Sequence, residues 1–434
     1  MNENGKTRRI TIVLAVIITL AIICGVVAVA INLKNKENIV NEGDNTQNQQ
    51  NAQTTEVKLG SGNTDLSLEF IKMNNQKENV IYSPLSVKYA LKMLSDGANG
   101  NTKKQIEDVL GDNGVVKYEN IEDVLSLANA LYIKDEYSKS INEEYKNDLI
   151  NKYNAEIKYD AFKDANNINS WIEEKTFGQI KNMLTNDAVN NEENKMMLIN
   201  ALAVNMAWKD KFDEEDTASG KFSLINGNEM NATMMHKETK SENLSYYKND
   251  NITAITMDLE ENKNGQMEFL AIMPNEDLSK YISTVSAKDF ENIDKNLKKA
   301  SETENGVSVS IPRFSFDFEL DLVKELKTLG ITDAFDEKLA DFSKMSSANS
   351  MYVNDVLHKA NIDFTEKGIK ASAATVISLT DGITGDNENK SIELKFDRPF
   401  MYVIRDKKTN EIWFVGTVYQ PNSWESNKAD YIYK

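Results

Sequence analysis

The stretch that most constrains this fold is Glu366–Thr380, EKGIKASAATVISLT. From Ile369 onward it alternates. Ile369, Ala371, Ala373, Thr375, Ile377 and Leu379 fall on one side of an extended chain, and Lys370, Ser372, Ala374, Val376, Ser378 and Thr380 on the other. A period of two is the strand period. The residues in its middle are so small that the segment could slide between two existing strands without displacing a core. The residues that follow, DGITGDNENK, have the Gly, Asp and Asn content of an exposed loop. A latent strand thus runs directly into an exposed tip. Read in isolation, the stretch also suits a surface turn followed by a short Ala/Ser helix.

The 434 residues allow one large or two ordinary domains, and 40% hydrophobic residues fill a substantial core. A formal net charge of −18 disfavours a general binder of nucleic acid or anionic lipid. The only cysteine, Cys24, sits in an apolar run, so the rest of the chain has neither a disulfide nor a cysteine metal site. Two histidines, His236 and His358, leave little material for a zinc centre or a Ser-His-Asp hydrolase. Met234-Met235-His236 is a weak metal motif. No GxSxG, HExxH or Gly-rich phosphate loop is in place. Neither a cofactor nor a metal is expected.

Ile10–Ile31 is an almost unbroken apolar run, long enough at about 1.5 Å per residue to span a bilayer of about 30 Å. Lys6, Arg8 and Arg9 precede it and should keep the N-terminus (residues 1–9) in the cytoplasm. A cleaved signal peptide is the rival, with Ala28-Val29-Ala30 as its cleavage site, although such apolar regions run only about 7–15 residues. The expectation is an uncleaved anchor over 10–31. A flexible polar tether follows over 32–62, then a globular domain over 63–421 and a tail over 422–434.

Within the domain, Ser83-Pro84 opens a helix, with Val87, Ala90, Leu91 and Leu94 at helical spacing and Gly97 to stop it. Asn101-Thr102 begins another helix. Ile121–Lys134 and Met196–Trp208 are long apolar runs, and LINALAVNMAW suits a central strand buried on both faces. Tyr246–Asp258, Gln266–Pro274 and Val307–Phe318 read as strands, Leu320–Leu329 as a short helix closed by Gly330, and Ser391–Thr417 as two further strands. The class is α+β.

Several runs together resemble the serpin family. They are NVIYSPLSVKYALKMLSDGANGNTKKQI, LINALAVNMAWKDKF, VSIPRFSFDFELDLVKELKTLGITDAFDEKLADFSKM, MYVNDVLHKANIDFTEKGIKASAATV and FDRPF, which occur in the family's order and spacing over about residues 63–421. The resemblance implies a large central β-sheet, two further sheets, a helical N-terminal half and an exposed reactive-centre loop. It implies a suicide-substrate inhibitor of serine, and in some cases cysteine, endopeptidases. The protease cleaves the loop and is held as an acyl-enzyme while the loop's hinge end inserts into the main sheet. Such a fold is metastable and kinetically trapped.

By motif, the hinge is Glu366, Lys367, Gly368, Ile369, Lys370, Ala371, Ser372, Ala373, Ala374 and Thr375. Ile369 stands where the family usually has a small residue. Ser83, Ser86, Asn200 and His358 match the family's sheet-opening polar network. Trp208, Arg313 and Glu366 match the top of the sheet, with Arg in place of the usual Lys and able to bind a carboxylate bidentately. Family spacing, about seventeen residues beyond the hinge Glu, puts the reactive bond at Gly382–Ile383; counting back from FDRPF puts it near Glu388. With no Lys or Arg beside Gly382–Ile383, the target expected is an elastase-like or subtilisin-like protease, held covalently by a monomer. The region matching the family's glycosaminoglycan-binding helix, Gly111–Asp123, is short and acidic, so no glycosaminoglycan is expected. The abundant Asn and Lys suggest a bacterial source, and the anchor would place the domain outside the cell. The competing reading is a non-inhibitory serpin, a cell-surface binding or chaperone module.

Overall fold

The computed structural model describes residues 63–111, 116–347, 351–369 and 391–424, all within one compact unit, Glu56–Lys434. The expected membrane anchor and tether, hinge residues 370–375 and the reactive bond lie outside the described residues. Among the described residues, no helix is long and apolar enough to cross a membrane.

The first long helices form where the sequence places their caps. After α1 (Asn63–Met73) and the short strand β1 (Val80–Tyr82), the Ser83 side chain accepts a hydrogen bond from the Ser86 N–H, and Pro84 occupies the first turn of α2 (Pro84–Gly97). The helix ends at Gly97, as expected, with Ala98 as its C-cap. A Cβ at Gly97 would lie within 3 Å of Met345 and Tyr145, so the glycine is there for close packing. α2 is buried on most sides, including Lys88, whose Nζ lies 2.6 Å from Glu411 Oε1 with both side chains almost fully enclosed. α3 follows over Gly100–Leu110.

The strands fall into four hydrogen-bonded sets. The largest, seven strands, has its centre in β9 (Ile252–Asp258), β10 (Met267–Pro274), β17 (Phe400–Asp406) and β18 (Ile412–Val418), all buried throughout. Burial on both faces is why these read as continuous apolar runs. A four-stranded set joins β16 (Ile392–Lys395), β12 (Val307–Pro312), β7 (Glu229–Thr239) and β6 (Ala218–Ser223). A three-stranded set has β2 (Leu125–Lys134) between β3 (Glu156–Asp160) and β4 (Met196–Val204). The last set is β13 (Phe314–Asp321), β14 (Leu357–Thr365), β15 (Gly368–Ile369) and β5 (Met206–Ala207).

Four expected elements are subdivided, the first being Met196–Trp208, which is two strands, β4 and β5, in different hydrogen-bonded sets. Tyr246–Asp258 is two strands, β8 (Leu244–Lys248) and β9, because the Asn249 side chain caps a turn by accepting from the Asn251 and Ile252 N–H groups. Val307–Phe318 alternates without a break, yet Pro312-Arg313 carries it from one sheet into another. Ser391–Thr417 holds three strands rather than two. The helix expected over Leu320–Leu329 is confined to Val323–Thr328, with the Asp321 carboxylate accepting from the Val323 N–H.

The Lys88–Glu411 pair ties α2 to the β18 end of the largest sheet. Removing one partner breaks a buried ion pair, so Glu411→Ala should cost about 3–5 kcal/mol. Thermal melting checks this: a Tm equal to that of the parent would show that the pair contributes nothing net.

Candidate functional site

The chain leaves β14, turns through Glu366-Lys367 and re-enters the same sheet as β15. This two-residue strand is wedged between β14 (Phe364↔Ile369, Thr365↔Gly368) and β5 (Gly368↔Ala207, Ile369↔Met206). Gly368 has φ 150°, and a Cβ there would lie 2.2 Å from the Met206 carbonyl oxygen. Only glycine fits so close to a neighbouring backbone. Ile369 is 2% exposed and joins the cluster containing Phe364, Trp208 and Met206. The wedge thus accommodates the β-branched side chain, and the alternation expected beyond it lies outside the described residues.

Away from the wedge, β14 and β4 share no ladder among the described residues. A cavity of about 290 Å³ lies between them, walled by 194–200 and 351–358 and floored by Ser86, Val87, Ala90, Leu91 and Leu94 of α2.

The expected top-of-sheet residues converge on the turn. Glu366 has its side chain 3% exposed, with both carboxylate oxygens 2.6 Å from Arg313 Nη2. One nitrogen serves both oxygens, rather than the two-nitrogen fork available to Arg, and Arg313 Nε is buried without a partner. Glu366 Oε1 also accepts from Thr217 Oγ1 at 2.7 Å. Trp208 binds the backbone of the turn: its N–H donates to the Lys367 carbonyl at 3.0 Å and its indole Nε1 to the Thr365 carbonyl at 2.9 Å. Its ring packs edge-on against Phe364 and Phe269.

The four expected network residues are brought together at the end of the cavity nearer the wedge, which Ser86, Asn200 and His358 line. His358 is 5% exposed, and its Nε2 accepts the Ser83 N–H at 3.1 Å, leaving the ring proton on Nδ1. Burial pushes its pKa down to about 4. Ser86 Oγ donates to Asn200 Oδ1. Asn200 in turn donates to Asn129 Oδ1 at 2.5 Å, and Asn129 to the Tyr153 carbonyl at 2.9 Å. The network therefore runs from β14 through the start of α2 to β4 and β2.

Asn129 and Thr217 escaped the sequence reading. Asn129 had left a signal: LANAL and INALA each hold a lone asparagine in an apolar strand, and Asn129 and Asn200 are direct cross-strand partners. Thr217 lies far away in sequence and left none. His236 lies in β7 opposite Ser310, and among the described residues no group of His, Cys, Asp or Glu is placed to hold a metal.

The family profile described as Serpin (serine protease inhibitor) matches residues 61–421. The chain is 30% identical over 384 residues to an uncharacterized serpin-like protein of Thermococcus kodakarensis, covering 84% of this chain and 85% of that one. Among solved structures it resembles a thermophilic serpin, tengpin, in the native state (TM-score 0.68, 30% identity, 88% of this chain and 98% of that one). It also resembles human thyroxine-binding globulin complexed with its hormone (TM-score 0.71, 25% identity, 84% of this chain and 99% of that one).

Two outcomes follow from the site. His358 is a base whose folded pKa, about 4, lies below its unfolded value of about 6.5. Its contribution is complete above pH ~6.5 and is lost as pH falls from there toward 4, by up to about 3 kcal/mol. His358→Asn should flatten the fall in Tm between pH 7.5 and 4.5; parallel profiles would sink the assignment. Glu366→Ala strands the Arg313 cation and removes hydrogen bonds worth about 1.5–3 kcal/mol. It should raise the latent and polymeric fractions on gentle heating, and unchanged bands on a native gel would refute this.

Proposed function

The chain belongs to the serpin family, a family of protease inhibitors and not of enzymes, and we propose that it is an inhibitory member that traps serine endopeptidases by loop insertion. The observation that carries this reading is the wedge. Gly368–Ile369 already pairs with both flanking strands, and beyond the His358 network a cavity lies between residues 194–200 and 351–358.

The chemistry belongs to the protease. Its nucleophile attacks the loop carbonyl, and the new amine end leaves with the C-terminal fragment. The freed hinge then continues the β15 ladder into the cleft. Each residue added gains backbone hydrogen bonds to β4 and β14, worth about 0.5–1.5 kcal/mol apiece. Small residues at Ala371, Ala373 and Thr375 pass the inner face, while Lys370 takes the outer one. The reading assigns the bond to Gly382–Ile383 and the target to elastase-like or subtilisin-like enzymes, in keeping with the small and aliphatic residues there. It also retains an extracellular domain held to the membrane by residues 10–31, in keeping with the apolar run and the basic residues before it.

A second reading, a non-inhibitory carrier or binding module, draws on the likeness to thyroxine-binding globulin, which binds thyroxine. One experiment separates the two. The full chain is incubated with elastase-like, subtilisin-like, chymotrypsin-like and trypsin-like proteases and run on a denaturing gel. The trap requires a complex that survives boiling and a released fragment beginning at Ile383. Clean cleavage without a complex would transfer support to the carrier.

A further inference from the structure

Five of the side chains lining the cleft are methionines: Met183, Met196, Met197, Met345 and Met351. Met183 and Met345 are buried, whereas Met196, Met197 and Met351 are half-buried and reachable from solvent. Met196 and Met197 are consecutive on β4, so their side chains leave opposite faces of the sheet. Met196 packs toward the main core with α2, as does Met351. Met197 packs toward the cluster holding Tyr132 and Trp171. A strand inserted beside β4 would meet a thioether on each of its faces. The segment that follows the wedge, residues 370–390, contains no methionine.

Methionine is unbranched and adaptable, which suits a wall that must re-pack around an incoming strand. The same thioether is readily oxidised. We infer that Met196, Met197 and Met351 form an oxidative modification site on the strand-receiving cleft, with a peroxide as the reagent. The sulfur lone pair attacks one peroxide oxygen, the S–O bond forms as the O–O bond breaks, and water leaves. Sulfur is oxidised by two electrons and the peroxide is reduced. The product is a polar sulfoxide, which enzymatic reduction can return to the thioether.

The inference rests on the inhibitory reading and adds its regulation. Insertion would enclose each sulfoxide oxygen beside a strand whose N–H groups are already committed to the ladders. The buried acceptor lacks a donor, and insertion should slow by about tenfold or more. The acyl-enzyme then has time to hydrolyse, and an inhibitor becomes a substrate. Since residues 370–390 hold no methionine, the oxidant cannot act through the bait segment itself.

The test treats the full chain with hydrogen peroxide and maps the added oxygen by peptide mass. The fraction of a trapped protease that forms the boil-resistant complex is then measured. Oxidation at the three methionines should lower that fraction about tenfold while loop cleavage continues. The triple variant Met196→Leu, Met197→Leu, Met351→Leu is close to volume-conserving. It should show no peroxide effect when compared with its own untreated sample; Met351→Leu alone repeats the comparison should the triple variant fold poorly. Undiminished trapping by the oxidised parent, or an equal loss in the variant, would overturn the inference. If the untreated protein traps no protease, the functional reading has failed. The modification is then judged by the gain in Tm when a nonspecific protease nicks residues 370–390. A gain before peroxide and none after it supports the site; equal gains, or none in either sample, overturn it.

Discussion

Along Met196–Val204 and Leu357–Asp363 the strand edges bordering the cleft form no ladder with each other among the described residues. An open edge inside a sheet is costly, because backbone N–H and C=O groups away from bulk water need partners. It is also a template for any strand of matching length. The rest of the site makes sense as management of that edge. The wedge of Gly368–Ile369 begins to close it, the Glu366–Arg313 pair and the Trp208 hydrogen bonds fix where the closing starts, and the His358–Ser83–Ser86–Asn200–Asn129 chain lies at the end of the cavity nearer the wedge. On the inhibitory reading, a strand of about ten residues completing the sheet would recover on the order of 10 kcal/mol.

The polar chain has a distinct part to play. Buried polar groups are tolerated when each finds a partner, and they fix one arrangement over others. Here the partners come from four elements, so moving β4 relative to β14 means exchanging hydrogen bonds rather than sliding one apolar face over another. The neutral state of His358 matters for the same reason. An imidazolium there would lose the acceptor that satisfies the Ser83 N–H, and it would bring a charge into a site where burial alone already depresses its pKa.

Much of this was legible before the fold was. Period-two alternation pointed to a latent strand whose residues beyond Ile369 lie outside the described residues, and uniform apolarity located β4, although the run read as one central strand is two, β4 and β5, in different hydrogen-bonded sets. The Ser83-Pro84 cap located α2. The less visible parts depended on tertiary contacts. Val307–Phe318 keeps its alternation straight through Pro312-Arg313, so periodicity alone could not show that its halves serve different sheets. Gly97 does end its helix as read, but the close approach of another segment at Gly97 and Gly368 leaves no mark in the sequence. Thr217 reaches Glu366 from 149 residues away and carries no local pattern.

The central claim is that the cleft between β4 and β14 receives the segment after Ile369 as a strand. Hydrogen–deuterium exchange tests it without reference to any target protease. The amides of Met196–Asn200 and Leu357–Asn361 are followed in the intact chain and again after residues 370–390 have been nicked by a nonspecific protease. The account requires the amides that border the cleft to become strongly protected once the segment is cut. Exchange rates that do not change on cutting would show that the sheet receives no strand, and the trapping mechanism would fall with it.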